Sequence, residues 1–261
     1  MLNFLIFIIM ARQKGIIKLK GTIGDITFYK SKDGYMARER GGIDGQRIAS
    51  DPKFQRTREN GEEFGRAGKS GKVLRTALQL LLRYSPDSRM VSRLTQRMIK
   101  VLQTDSVSAR GSRTVDLGDA GLLAGFEFNI QGALSTSFFA AFDSELNRVT
   151  GDLTISIASF VPNVMIKAPQ GATHFKLISA GVSADFEGGL TSTMTSATAI
   201  LPWDETPTAL IEHTNAVTAD STGSLFLVLG LEFYQEINGD MYPLKNGAFN
   251  ALRIVKAERS V

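Results

Sequence analysis

The residues of this chain whose types and spacing come nearest to chemistry lie in Gly65-Arg66-Ala67-Gly68-Lys69-Ser70-Gly71-Lys72, which has the glycines and lysines of a phosphate-cradling loop. A nucleotide-binding loop places four residues between its first glycine and the Gly-Lys pair, then a Ser or Thr to hold magnesium. Here Arg66 stands where that first glycine belongs for Gly71-Lys72, and Val73 follows the lysine. Of the two histidines, His174 and His213, neither has the Gly-x-Ser-x-Gly elbow of a serine hydrolase to serve. Asp204-Glu205 beside Trp203 is half of a glycosidase carboxylate pair without the other half. Asp220-Ser221-Thr222-Gly223 lacks the repeated carboxylates of a calcium loop. With no cysteine, disulfides, zinc–thiolate sites and cysteine nucleophiles are ruled out. The sequence therefore reads as non-enzymatic, with no catalytic residue, metal, cofactor or small-molecule substrate.

Charge carries more information. Residues 1–113 hold 23 Lys/Arg against 10 Asp/Glu, and residues 114–261 hold 7 against 16, within a net charge of +4. A basic half of this kind suits phosphate or another anionic surface. Its candidate contacts are Lys14, Lys18, Lys20, Arg38, Arg40, Arg56 and Arg58, with the row Arg89, Arg93, Arg97 and Lys100. Nucleic acid bound through such residues is held without regard to sequence and released by salt. Few aromatics accompany them, which argues against sequence-specific RNA recognition. The other use is attraction to the acidic part of a neighbouring subunit, giving a head-to-tail homo-oligomer.

The elements that must carry these residues can be read from turns and periodicity. Thr22 to Arg40 reads as a hairpin, with Lys32-Asp33-Gly34 as its turn. Ser50-Asp51-Pro52 starts a helix that should run toward Tyr84 and stop before Pro86. Gly61, Gly65, Gly68 and Gly71 fall on one arc of it with Phe54 and Phe64, so that either close helix packing offsets the cost of the four glycines or the stretch is not a regular helix. A second helix from Asp87-Ser88 gathers Met90, Val91, Leu94, Met98, Val101 and Leu102 on one face, completing a helical hairpin.

Beyond Arg113 short strands are expected at 126–130, 138–142, 153–157, 164–166, 173–179, 191–200, 208–212, 225–235 and 251–256, with an Asn238-Gly239 turn. The fold class is α+β: an N-terminal β-hairpin and helical hairpin, then an all-β sandwich, immunoglobulin-like or jelly-roll-like. The expected parts are an upstream extension over 1–9, a basic segment over 10–113 and a sandwich over 114–261. Met1 to Met10 is apolar but too short to span a bilayer, and translation is expected to start at Met10.

Lys14-Gly15-Ile16-Ile17-Lys18-Leu19-Lys20-Gly21-Thr22-Ile23-Gly24-Asp25-Ile26-Thr27-Phe28-Tyr29-Lys30, followed by Asp51-Pro52 and Gln55-Arg56, resembles the opening of uncharacterised bacteroidete proteins of unknown function. Leu244 to Leu252 is similar in kind. The resemblance implies a glycine-punctuated basic hairpin, a helical segment and a C-terminal β domain, with no activity to carry over. The expectation is a structural or assembly protein, virion- or phage-like, in the cytoplasm or a particle. The alternative is a secreted or surface β-sandwich that binds glycan or protein.

Overall fold

The computed structural model describes residues 10–39 and 43–261, so the expected extension over 1–9 and Arg40 lie outside it. The chain forms two compact units, one ending at Arg58 and the other running from Glu59 to Val261.

In the first unit β1 (Met10–Arg12), β2 (Gly21–Ile23), β3 (Ile26–Ser31) and β4 (Gly34–Glu39) make an antiparallel sheet in the order β1-β4-β3-β2. The Asp33-Gly34 turn forms as expected, but the strand preceding it is broken in two. Gly24 takes φ +56°, which lets the chain fold back so that Thr22 pairs with Thr27. None of this unit's described side chains is fully buried. After it come α1 (Gly45–Ser50) and Asp51, whose carboxylate accepts the Lys53 amide and opens a 3-10 turn over Pro52–Phe54. That turn leads into α2 (Gln55–Ala77). The helix start at Asp51-Pro52 is present, with an additional helix ahead of it.

The second unit opens on the rest of α2, which gives way at Leu78 (φ −95°, ψ 12°) to α3 (Gln79–Leu82). The expected single helix is thus interrupted before Tyr84. Across Ser85-Pro86 lies α4 (Met90–Leu102), with Leu94, Met98, Val101 and Leu102 buried. Then follow α5 (Leu134–Ser137), β5 (Phe142–Leu146), β6 (Asp152–Ile157), α6 (Pro162–Met165), β7 (His174–Asp185), β8 (Leu190–Ala197), β9 (Leu201–Pro202), β10 (Ile211–Ala216), β11 (Ser224–Ile237), β12 (Asp240–Pro243) and β13 (Ala251–Glu258). Three expected strands do not form as such, and the one expected at 208–212 is displaced to Ile211–Ala216. Residues 126–130 make a single bridge, Glu127 to Arg253, and 138–142 keep one bridge before β5 begins at Phe142. Residues 164–166 belong to the turn of α6 and its cap, because Pro162 presets the first helical φ and Val161 accepts the Met165 amide.

The strands form a three-stranded sheet, β10-β6-β5, and a six-stranded sheet, β12-β11-β7-β8 with β13 along β11 and β9 along β7. Asn238 and Gly239, both at positive φ, join β11 to β12. Leu153, Ile155 and Ile157 of β6 share one core with Leu225, Leu227 and Leu229 of β11. A second core joins Ala180 and Val182 of β7 and Phe226 and Val228 of β11 to Leu74, Leu78, Leu94 and Met98 of the helices. Because β11 is covered from both sides, its residues 224–233 are all buried, and from Leu225 to Leu231 the sequence is a continuous apolar run instead of an alternation. Ser196 of β8 donates to the Thr214 carbonyl of β10, and Lys256 of β13 to the Ser144 carbonyl of β5. The small sheet is thereby held at both flanks, and the β part curls as a half-barrel. The fold is α+β: an N-terminal strand region, a helical segment and a curled C-terminal β part. Charge changes sign near residue 113, but compactness does not divide there, since the helices before it and the sheet after it share a core.

Candidate anion-contact surface

The first unit carries 12 Lys/Arg against 5 Asp/Glu. Ten of those cations are exposed: Arg12, Lys14, Lys18, Lys20, Lys30, Lys32, Arg38, Arg47, Lys53 and Arg56. Lys14, Lys18 and Lys20 lie on the connection between β1 and β2, where Ile16 and Ile17 stand fully and largely in solvent. Gln13 holds the two ends of this loop, donating to the Met36 carbonyl and accepting the Leu19 amide. Aromatic rings seat some of the charges. Lys18 and Lys30 lie 5.9 and 5.7 Å from the Tyr35 ring centre, and Arg38 lies 5.6 Å from that of Tyr29. Such contacts contribute about 0.5–1 kcal/mol each at exposed sites. The tyrosines were not singled out in the sequence, although Tyr29-Lys30 and Tyr35 opposite it carry the signal.

Not every expected contact points outward. Arg58 donates to the carbonyls of Ile48 and Asp51 and so ties α1 to α2 within the first unit. Arg93 leaves the row it shares with Arg89, Arg97 and Lys100. Its guanidinium bonds Asp87 at 2.6 Å, the Glu127 carbonyl at 2.7 Å and the Phe128 carbonyl at 3.0 Å, above the Phe126 ring. Arg89, Arg97 and Lys100 are exposed. Lys69 and Lys72 of the glycine-rich stretch are exposed on α2. That whole stretch is helix interior, and Arg66 is turned to the Gly111 and Arg113 carbonyls. The expected glycine packing is confined to Gly71, which lies against Leu94 and Met98. A methyl group added at Gly61, Gly65 or Gly68 meets nothing within 4 Å among the described residues.

The histidines separate. His174 takes a bond with the Thr173 hydroxyl near the surface. His213, on β10, is buried with Asn215 and with Ser179 of β7. Asn215 Nδ2 donates to Ser179 Oγ at 2.9 Å, and Ser179 in turn lies 2.9 Å from His213 Nδ1. The three side chains thus form one buried hydrogen-bonded cluster. A nucleophilic role fails on access, because Ser179 has no exposed surface.

Burial pushes the His213 pKa down. The unfolded chain then binds a proton near pH 6.5 that the folded chain refuses, so stability is lost as pH falls below that value, by at most about 1.4 kcal/mol per pH unit. Urea unfolding at pH 7.5 and 5.5 should show a steeper loss for the native chain than for His213→Gln. Equal losses would exclude His213 as the source.

Among the described residues no group of three or more His, Asp or Glu is placed to hold a metal ion, and no helix is long and apolar enough to cross a membrane. Compared with protein-family models, curated proteins and solved structures, the chain matches none.

Proposed function

We propose that this chain is a structural assembly protein without enzymatic activity, whose basic N-terminal unit contacts nucleic acid or neighbouring subunits in a virion- or phage-like homo-oligomer. The observation that carries this reading is the first unit itself, a sheet and short helical elements with no fully buried side chain among the described residues and ten exposed cations. Ile16 and Ile17, bare between Lys14 and Lys18, add apolar surface that a partner can cover. Exposed Phe64 on the same arc as Gly61, Gly65 and Gly68 offers a second contact face on α2. In this reading the two β layers are a sandwich of the jelly-roll or immunoglobulin kind.

Light scattering with 260/280 nm absorbance, at low and high salt, tests it. Large species that dissociate in salt are expected. If phosphate is the target, Lys14→Glu/Lys18→Glu/Lys20→Glu lowers the slope of log affinity against log salt by about 2–3 for single-stranded or duplex nucleic acid. If a neighbouring subunit is the target, Ile16→Ser/Ile17→Ser abolishes the large species and leaves polyanion binding intact. A monomer at every salt concentration with no polyanion affinity refutes the proposal.

The second reading is a secreted or surface module that binds glycan or protein. It is favoured by β8, whose Thr191-Ser192-Thr193-Met194-Thr195-Ser196 lies at the border of the six-stranded sheet with most of its side chains exposed.

A further inference from the structure

Between α3 with Tyr84 and the strands β7, β8, β11 and β12 lies a groove of about 360 Å³, at the small end of ligand sites. Its polar groups come from far apart in the chain. Glu232 of β11 stands directly across the ladder from Lys176 of β7. The Tyr234 hydroxyl donates to Glu232 Oε2 at 2.8 Å, and burial with that bond pushes the Tyr234 pKa up, the nearby Tyr84 adding to the effect. Tyr84 is half exposed at one wall beside Leu80, and Thr195 of β8 lies opposite.

Glu232 is the informative member. It is 5% exposed, and among the described residues its side chain takes a bond from a neutral phenol and forms no ion pair. A carboxylate held this deep has acceptor capacity left for further donors and favours charge-assisted bonds from hydroxyls. Tyr84 lines the groove with an aromatic ring, and Leu80 and Leu81 add apolar wall. Adjacent hydroxyls to a carboxylate, a C–H face to an aromatic ring and a flanking ammonium are the needs of a sugar ring.

We propose that this groove binds a saccharide residue, with Glu232 accepting from ring hydroxyls, Tyr84 stacking on the ring, and Lys176 and Thr195 bonding its remaining oxygens. Among the described residues the lining holds a single carboxylate, whereas glycoside hydrolysis commonly uses two on opposite sides of the bond, so the proposed role is binding. The inference rests on the binding-module reading and names the site that reading lacks. It is independent of the basic unit.

Saturation-transfer NMR on the full chain tests it, with glucose, galactose, mannose, N-acetylglucosamine and sialic acid as probes and glycine and lysine as zwitterionic controls. Transfer to the ring protons of at least one sugar is expected, and Tyr84→Ala and Glu232→Gln should each weaken its affinity about tenfold or more. Tyr84, being half exposed, can be truncated without opening the core, which keeps the test valid if Glu232→Gln folds poorly. Binding that both variants leave unchanged overturns the groove but leaves a binding module standing. No transfer to any sugar overturns both the groove and a glycan role. Binding of the amino acids alone shows that Lys176 and Glu232 serve a zwitterion and overturns the saccharide.

Discussion

Replacing Arg93 with Met should destabilise the second unit by about 2–3 kcal/mol, below the range for breaking a fully buried ion pair because the Arg93 side chain keeps 24% of its surface exposed. The substitution keeps the aliphatic length but removes every donor. Asp87, whose side chain is only 7% exposed, loses its 2.6 Å partner, and the carbonyls of Glu127 and Phe128 lose theirs. What remains for the carboxylate is the Arg89 amide at 2.7 Å and the Ile130 amide at 3.3 Å.

The ion pair has a pH signature. Burial alone raises the Asp87 pKa, but the Arg89 amide and the Arg93 guanidinium outweigh it and hold the group below the usual carboxylate value. Asp87 therefore contributes stability above about pH 3.9, and that contribution is lost as pH falls through its lower folded value. Urea unfolding of Arg93→Met should show the loss at pH 7 and a weaker acid sensitivity than the native chain. The double change Asp87→Asn with Arg93→Met should recover part of the stability, because no unpaired charge is left. If Arg93 instead belonged to an outward anion-binding row, Arg93→Met would leave stability alone and weaken polyanion binding.

The second large effect runs in the opposite direction. Changing Gly61, Gly65 and Gly68 together to Ala should stabilise the chain by about 1.5–3 kcal/mol, since each interior helical glycine costs about 0.5–1 kcal/mol relative to Ala. The three sites have helical backbone and open space where the methyl groups would go. Thermal unfolding reads the gain, and a variant that melts no higher than the native chain contradicts the open-space geometry. The same protein tests assembly. Among the described residues nothing lies within 4 Å of a methyl group at these three glycines, which leaves room for close approach by another molecule, so the stabilised triple variant should form smaller species in light scattering. Unchanged particles would remove this face of α2 from the interface.

Much of the secondary structure was legible because it follows from short-range rules. Asp33-Gly34 and Asn238-Gly239 supply backbone angles that tight turns require, and both turns formed. The spacing of Leu94, Met98 and Val101 marked the buried face of α4. The continuous apolar run of β11 pointed to a strand, although the helical layer that buries its second face was not foreseen. Residues 164–166 misled because a short apolar triplet suits a strand or a helical turn equally, and the Pro162 position decided between them.

The candidate site was legible only as charge. Composition and order along the chain determined that the N-terminal part is basic, that no cysteine chemistry is available, and where strands and helices alternate. Only the tertiary structure decided what each charge does. Arg93 and Arg97 occupy equivalent positions in one helical row, yet one is drawn inward because the carbonyls of Glu127 and Phe128, more than thirty residues away, need donors. Gly65 and Gly71 share an arc, yet only Gly71 meets another helix. Glu232, Lys176, Tyr84 and Thr195 share no local pattern, and the register of β11, β7 and β8 is what brings them into one groove. Local periodicity specifies the face of an element, whereas what covers that face depends on contacts between distant segments.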